Sequence, residues 1–157
     1  MTTVQTCLWY DSQAEEAARF YVSLLPNSRI RDITRYGAGA PMPEGTALTI
    51  TFDLAERPFM ALNGGPHVTF NEAHSMVVEC ETQDEIDRLW AALLDGGSAQ
   101  QCGWLKDRYG LSWQIVPATL QSMLTDGDKA ASDRMMAAMM GMVKLDSAAL
   151  EAAYRGN

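Results

Sequence analysis

The sequence is poor in basic residues, and this scarcity argues against two classes of partner. Lys and Arg number 12 against 20 Asp and Glu, so the 157-residue chain carries a formal net charge of -8. Nucleic acids and anionic membrane surfaces are bound through basic patches, which this balance does not favour. The most apolar run, Met135–Val143, is nine residues long, whereas a membrane-spanning helix needs about 20. We therefore expect no nucleic-acid partner and no membrane insertion.

Cysteine is also scarce. Cys7, Cys80 and Cys102 are the only three, and no Cys-x-x-C spacing occurs among them. An odd number of widely spaced cysteines favours free thiols in a reducing cytoplasm over a disulfide framework or a zinc knuckle. The N-terminus lacks a basic segment followed by an apolar one, so no signal peptide is expected.

The residues that are present predict a folded globular protein, because 47% are hydrophobic and 20% are charged. Within it, Cys7–Ser28 and Met76–Gly97 share one order: a strand, a polar cap, an amphipathic helix and a stop. Each segment is followed by strands and by no further helix. The pattern predicts an α+β fold of paired βαβββ modules that share a cupped mixed sheet.

The predicted elements follow from apolar spacing and turn residues. Asp11 or Ser12 should cap a first helix over Gln13–Leu25, and Thr82 or Asp84 should cap a second that ends before Asp95. The predicted strands are Val4–Tyr10, Arg29–Tyr36, Thr46–Leu54, Pro58–Asn63, His74–Cys80, Ser98–Leu105 and Leu111–Val116.

The chain after Pro117 differs in character, because it is helical and holds six of the ten methionines. We expect one domain over residues 1–117, with module one at 1–66 and module two at 67–117, and a C-terminal helical extension over 118–157. The methionine-rich face could pack on its own sheet or act as a dimerisation arm. The second is favoured, because methionines nearly all round a short helix do not suit a free surface.

The segment Gln101–Pro117 interleaves aromatic residues with turn residues. Asp107-x-x-Gly110 between two aromatic strands predicts a β-hairpin in which Gly110 has a positive φ. Lys106 and Asp107 are interpreted as a turn pair and not as an acid and a base. The aromatic residues could be core residues or one wall of a pocket.

Several segments together resemble a known family: the repeat itself, LWYDSQAEEAARFY, FMALNGGPHVTFNEA, CETQDEIDRLW and QCGWLKDRYGLSWQIVP. They are similar to the PhnB-like proteins of the vicinal oxygen chelate superfamily, also called the glyoxalase/bleomycin-resistance/extradiol-dioxygenase fold. The resemblance implies paired βαβββ modules and a homodimer. Many such proteins carry the label 3-demethylubiquinone-9 3-methyltransferase. The one G-x-G, at Gly37-Ala38-Gly39, precedes prolines and no helix, so the sequence does not support methyl transfer from an adenosyl donor.

The resemblance also implies positions for a divalent metal ion, which enzymes of the superfamily hold with His, Gln and Glu. By position, the ligands of the second module fall on His74 and Gln114. The first module offers Val4 or Thr6 in its early strand and Met60 to Leu62 in its late strand, which are poor ligands. The implied site is incomplete, because a tight site usually takes at least three protein ligands.

Two hypotheses of function follow, and a third is kept beside them. The protein binds a small apolar or aromatic molecule in its cup, with a divalent metal as Lewis acid if one is bound, or it is a non-catalytic module that sequesters a ligand. The third is an interaction protein that acts through its C-terminal arm. The sequence leaves open whether it is an enzyme. The candidate pocket residues are Trp9, Asn63, His74, Trp104, Trp113 and Gln114.

Overall fold

A computed structural model describes all 157 residues of the chain. The chain divides into two compact units, Met1–Phe70 and Asn71–Asn157. Each unit contains one mixed four-stranded sheet, so the predicted α+β class and the repeated βαβββ module are confirmed. No helix has both the length and the apolar character needed to cross a membrane.

The first unit has the predicted order of one helix among four strands. Its elements are β1 (Thr6–Tyr10), α1 (Ala14–Leu24), β2 (Arg29–Arg35), β3 (Ala47–Leu54) and β4 (Arg57–Asn63). The strand order is β1-β4-β3-β2. The first strand runs parallel to β4, and the other pairs are antiparallel. Strand alternation buries one face of this sheet, as at Ile50 and Phe52, and Tyr21 of α1 is equally buried.

The predicted cap of α1 is wrong. No side chain at its N-terminus caps the helix. Asn63, at the end of β4, accepts a hydrogen bond from the backbone N–H of Ala14 at 2.8 Å and donates one to the carbonyl of Ala47 at 2.9 Å. Its side chain is 1% exposed. A residue distant in sequence thus satisfies the first N–H of α1.

Strand β2 contains a bulge that its sequence requires. The register places Ile30 opposite Phe52 and Ile33 opposite Ile50, both on the buried face. Two residues three positions apart share a face of a strand only if one extra residue is inserted between them. The register shifts between Ile30 and Asp32, so Arg31 lies at the bulge.

The second unit repeats the order of the first. Its elements are β5 (Ser75–Cys80), α2 (Gln83–Leu94), β6 (Ser98–Ala99), β7 (Trp104–Lys106) and β8 (Ser112–Pro117). The strand order is β5-β8-β7-β6, and β5 runs parallel to β8. Thr82 caps α2 in a capping box with Glu85, which confirms one of the two predicted caps.

The single strand predicted over Ser98–Leu105 is wrong, since β6 ends at Ala99 and β7 starts at Trp104. Cys102 and Gly103 have φ angles of 60° and 81°, outside the extended range of a regular strand. Their backbone N–H groups donate to the carbonyls of Met142 and Val143. The C-terminal segment therefore takes the hydrogen bonds that would have continued the strand.

Three further helices, α3 (Leu120–Thr125), α4 (Lys129–Met140) and α5 (Ser147–Arg155), complete the second unit. Met123, Met135, Leu145 and Leu150 form a buried cluster with Val116 of β8. The side chain of Gln83 in α2 donates to the carbonyl of Leu145 and accepts from the N–H of Ser147. The methionine-rich segment thus packs on its own unit, which was the alternative that the sequence interpretation ranked second. A role for its exposed side in dimerisation stays a prediction.

Candidate functional site

Each sheet has one buried face and one face that we call its open face. In the second sheet the buried face carries Leu105, Trp113 and Ile115, which are at most 1% exposed. Because successive side chains of a strand alternate, Gln114 points to the open face. The register gives this face two rows across β5, β8 and β7. The rows are Val77–Gln114–Trp104 and Ser75–Ser112–Lys106.

Gln114 is the centre of this open face. Its side-chain Nε2 donates a 2.9 Å hydrogen bond to the hydroxyl of Ser75. Trp104 is its Cα partner on β7 and is partly buried. Gln114 and Trp104, two of the six candidate pocket residues, are therefore neighbours on one face. Ser75 is a polar residue that the sequence interpretation did not single out.

The hydroxyl of Ser112 lies beside this pair without a partner of its own. Ser112 is the Cα partner of Ser75 and is 0% exposed, and its buried Oγ has no hydrogen-bond partner in the chain. Buried hydroxyls usually have a partner. The open-face side of β8 thus contains one unsatisfied hydroxyl, which is buried.

An ion pair borders the second open face. Lys106 contacts Glu72 at 2.7 Å, and Gln100 donates to the same carboxylate at 3.3 Å. The hydrogen bond from Lys106 is the main reason why the pKa of Glu72 lies below its ordinary value. The side chain of Lys106 thus pairs with Glu72, whereas the sequence suggested Asp107 in the turn.

The hairpin between β7 and β8 is held by Asp107, and Gly110 has the predicted positive φ, 87°. The Asp107 carboxylate accepts hydrogen bonds from the N–H groups of Tyr109 and Leu111 at 2.8 and 3.1 Å. Its other oxygen accepts one from the indole N–H of Trp113 at 2.9 Å. Asp107 is 3% exposed. It therefore orders the turn and fixes Trp113 on the buried face.

The open face of the first sheet is less polar. The register aligns Trp9 with Leu62 and Thr49, and Cys7 with Met60 and Thr51. The indole N–H of Trp9 donates to the carbonyl of Gly65 at 2.9 Å. Burial raises the pKa of the Cys7 thiol, which does not favour the thiolate that a nucleophilic cysteine needs.

The six predicted pocket residues thus divide into three groups. Trp9, Trp104 and Gln114 lie on the open faces of their sheets. Asn63 and Trp113 are almost fully buried, and their polar atoms are bonded within their own units. His74 is exposed and directly precedes β5.

The donor set of the open faces does not fit a metal centre. No group of three or more His, Cys, Asp and Glu side chains lies close enough to hold an ion. Of the two predicted ligands, Gln114 is a neutral amide already bonded to Ser75, and His74 lies outside the strand. The first open face presents methionine, leucine and threonine at its centre, which do not supply the three ligands of a tight site.

Comparison with known proteins identifies the fold and the family of the chain. It is the fold of the vicinal oxygen chelate superfamily. The chain belongs to the family described as 3-demethylubiquinone-9 3-methyltransferase, which matches residues 2–116. No curated protein matches the sequence.

Solved structures agree with this assignment. A PhnB protein from Bacillus cereus, described as a 3-demethylubiquinone-9 3-methyltransferase, is 36% identical with a TM-score of 0.70, and the match covers 74% of this chain and 100% of that one. Protein PA1353 from Pseudomonas aeruginosa is 20% identical with a TM-score of 0.61, over 74% and 98% of the two chains. FosX of Listeria monocytogenes, a fosfomycin resistance protein complexed with Mn(II) and sulfate, is 11% identical with a TM-score of 0.51, over 80% and 96%. The last two show similarity of fold alone.

The methyltransferase description is the name of the family. In the present fold only β1–β4 and β5–β8 are parallel pairs, whereas a doubly wound fold has a mostly parallel sheet. The Gly37-Ala38-Gly39 segment lies between β2 and β3 and leads to no helix. The described elements therefore include no Gly-rich strand-to-helix turn of the kind that holds an adenosyl group.

Proposed function

We propose that the protein binds a small apolar or aromatic molecule on the open face of its second sheet, with Trp104 and Gln114 as the main contacts. The observation that carries the proposal is the hydrogen bond from Gln114 to Ser75. It uses one end of the carboxamide and leaves the Oε1 atom without a partner in the chain. Small-molecule sites place a few fixed polar groups beside apolar and aromatic side chains. Trp104 supplies the aromatic surface.

The remaining predicted residues take secondary roles in this proposal. Trp9 offers an aromatic contact on the open face of its own unit. His74 lies at the rim, where its exposed ring can contact ligand or solvent. Asn63 and Trp113 act from behind the two sheets, because they fix α1 and the β7–β8 hairpin.

The same site argues against a reaction centred on a metal. FosX is a fosfomycin resistance protein whose structure contains Mn(II), so a divalent ion is the natural alternative for this fold. The donors here are a neutral amide, hydroxyls and thioethers, which make a poor site for such an ion. Sequestration of a ligand without turnover is therefore the function that this donor set favours within the proposal, with metal-assisted catalysis as the alternative.

Assembly and location complete the proposal. A homodimer is supported by exposed apolar side chains on the C-terminal segment, since Met140 is 63% and Val143 41% exposed. A cytoplasmic location is supported by three free thiols.

A titration with Nile red, a neutral aromatic dye, tests the binding proposal. We expect saturable enhancement of its fluorescence and a loss of roughly tenfold in affinity for Trp104→Ala, as for a central aromatic contact. Gln114→Ala should also weaken binding. Leu124→Ala is the matched control, because Leu124 is an exposed apolar residue outside both sheets. Equal affinity in all four proteins would refute the proposed site.

Mn(II) titration of the wild-type protein and of His74→Ala, followed by electron paramagnetic resonance, separates ligand sequestration from metal-assisted catalysis. The proposal predicts no stoichiometric binding to the wild-type protein. One equivalent of bound Mn(II) that is lost on His74→Ala would overturn it in favour of a metal enzyme.

A further inference from the structure

A polar cleft lies in the first unit, at the end of the open face that is away from Trp9. Its volume is about 480 Å³, and it is lined by Asn27, Ser28, Arg29, Arg31, Asp53 and Glu56. Four of these six residues are ionisable. It is located where β2 begins and where the turn from β3 to β4 starts.

The two arginines of this cleft share one carboxylate oxygen. Arg31 and Arg29 each direct Nε to Oδ2 of Asp53, at 2.8 and 3.3 Å. Both guanidinium groups are therefore side by side. Their terminal nitrogens have no partner in the chain, and the side chains of Arg29 and Arg31 are 75% and 48% exposed. Two unused donor forks thus face solvent at the same place.

Asp53 is built into the sheet, which fixes the position of the arginines. Its side chain is 6% exposed, and its Oδ1 atom is buried without a hydrogen-bond partner. Arg31 and Arg29 lower the pKa of this carboxyl group, so it stays ionised and holds both groups by their Nε atoms. The bulge in β2 places Arg31 where its side chain reaches Asp53.

The rim of the cleft is also fixed. Asn27, Ala55 and Glu56 have φ angles of 52°, 46° and 68°, and they are three of the four non-glycine residues with positive φ in the chain. The Ser28 hydroxyl accepts a hydrogen bond from the N–H of Ala55, and the carbonyl of Asn27 accepts one from Glu56. Backbone conformations of this kind cost energy and persist where the surroundings enforce them.

We propose that this cleft binds the phosphate group of a small phosphorylated molecule. A phosphate has three terminal oxygens and up to two negative charges with which to accept from two guanidinium forks, whereas a carboxylate has two oxygens and one charge. The cleft is larger than a phosphate ion, so it has room for part of the molecule that carries the group. Glu56 is the only unpaired acidic residue at the rim, and it lowers the affinity for the anion.

A calorimetric titration with inorganic phosphate, at constant ionic strength set by chloride, tests the proposal. We expect saturable binding of one phosphate, and a loss of roughly tenfold in affinity for Arg31→Gln and for Arg29→Gln. Glu56→Gln should increase the affinity about twofold, because a nearby like charge is removed. Acetate at the same concentration should bind much more weakly.

Arg35→Gln is the matched control. Arg35 lies on the same strand and carries the same charge, but it pairs with Glu15 and with the carbonyl of Gly45. Nuclear magnetic resonance of the arginine Nε–H groups in the wild-type protein gives a second measurement that needs no variant. Phosphate should shift the Arg29 and Arg31 signals and leave that of Arg35 unchanged.

Several results would overturn the proposal: binding that does not saturate, an equal loss of affinity for Arg35→Gln, or equal binding of acetate. The two proposals are also independent, because Nile red is neutral and Trp104 lies in the other unit. Loss of dye binding with retained phosphate binding would contradict only the proposed function.

Discussion

Replacing Asp107 by Asn is a sharp test of the β7–β8 hairpin, because the change preserves shape and alters only hydrogen-bonding capacity. One oxygen of Asp107 accepts from two backbone N–H groups, and the other accepts from the indole of Trp113. An amide in this position must turn its NH₂ group toward a donor in either orientation. In the orientation that keeps both backbone hydrogen bonds, the indole N–H is left buried without an acceptor, since Trp113 is 1% exposed.

The magnitude follows from these contacts. A buried donor left without a partner costs about 1–3 kcal/mol, and the loss of charge weakens the two remaining hydrogen bonds. We expect Asp107→Asn to lower the free energy of unfolding by about 3 kcal/mol. Urea unfolding followed by far-ultraviolet circular dichroism measures this change. Asp95→Asn is the control, because the side chain of Asp95 is 82% exposed in its pair with Arg108, and such a pair contributes at most about 1 kcal/mol.

A double-mutant cycle with Trp113→Phe isolates the indole contribution. If the indole N–H is the group left unpaired, Asp107→Asn should cost about 1.5–3 kcal/mol less when Trp113 is already Phe. Additive costs would refute the hydrogen-bond reasoning. Trp113→Phe should also leave Nile red affinity unchanged in the folded protein, because Trp113 lies on the buried face.

Two further predictions concern packing. Gly64→Ala should destabilise the first unit by about 1–3 kcal/mol and change Trp9 fluorescence, because a Cβ atom there would overlap the Trp9 ring. Gly37→Ala is the control, because a Cβ atom at Gly37 meets no atom within 4 Å. Similar unfolding curves for the two variants would contradict the contact. Leu145→Ala should cost about 3 kcal/mol in urea unfolding, because Leu145 is 0% exposed and joins the Val116 cluster. Val143→Ala is the control and should cost less than about 0.5 kcal/mol, because Val143 is 41% exposed. If Leu145→Ala alone changed the mass of the protein in solution, the cluster would instead be a core shared between two chains.

Features fixed by nearby residues could be predicted from the sequence. The α2 capping box lies within four consecutive residues, Thr82 to Glu85, and the Asp107–Gly110 turn is equally local. The cap of α1 could not be predicted in this way, because Asn63 is 49 positions from Ala14. The break between β6 and β7 depends on Met142 and Val143, which are also distant in sequence.

In the candidate site, strand alternation could be predicted from the sequence, whereas contacts between distant residues could not. Trp113 and Gln114 are adjacent on a strand, so only one of them can face an open surface. Alternation alone therefore predicts that one of the two is a core residue, and the bond to Asp107 identifies Trp113 as that residue. The pairing of Gln114 with Ser75 depends on the parallel register of β5 and β8, which the sequence does not encode locally.

The two units of the repeat differ in how their first helix is capped. In both units the first strand pairs in parallel with the last one, so Asn63 and Pro117 occupy equivalent ends, opposite Tyr10 and Cys80. In the first unit this end caps α1 through Asn63. Proline has no side-chain acceptor, so the second unit caps α2 locally, through Thr82, and its last strand continues into α3.

This difference has a consequence for function. The last strand of the second unit is held by the C-terminal helices, through Val116 in their buried cluster, and Gln114 lies two residues before that contact. Because side chains alternate along a strand, Val116 and Gln114 share one face of β8, so the helices hold the strand from the face that carries Gln114. A strand held in this way favours a fixed binding geometry. The last strand of the first unit presents Met60 and Leu62 at the corresponding face. We therefore expect the second unit to supply the polar recognition of the ligand.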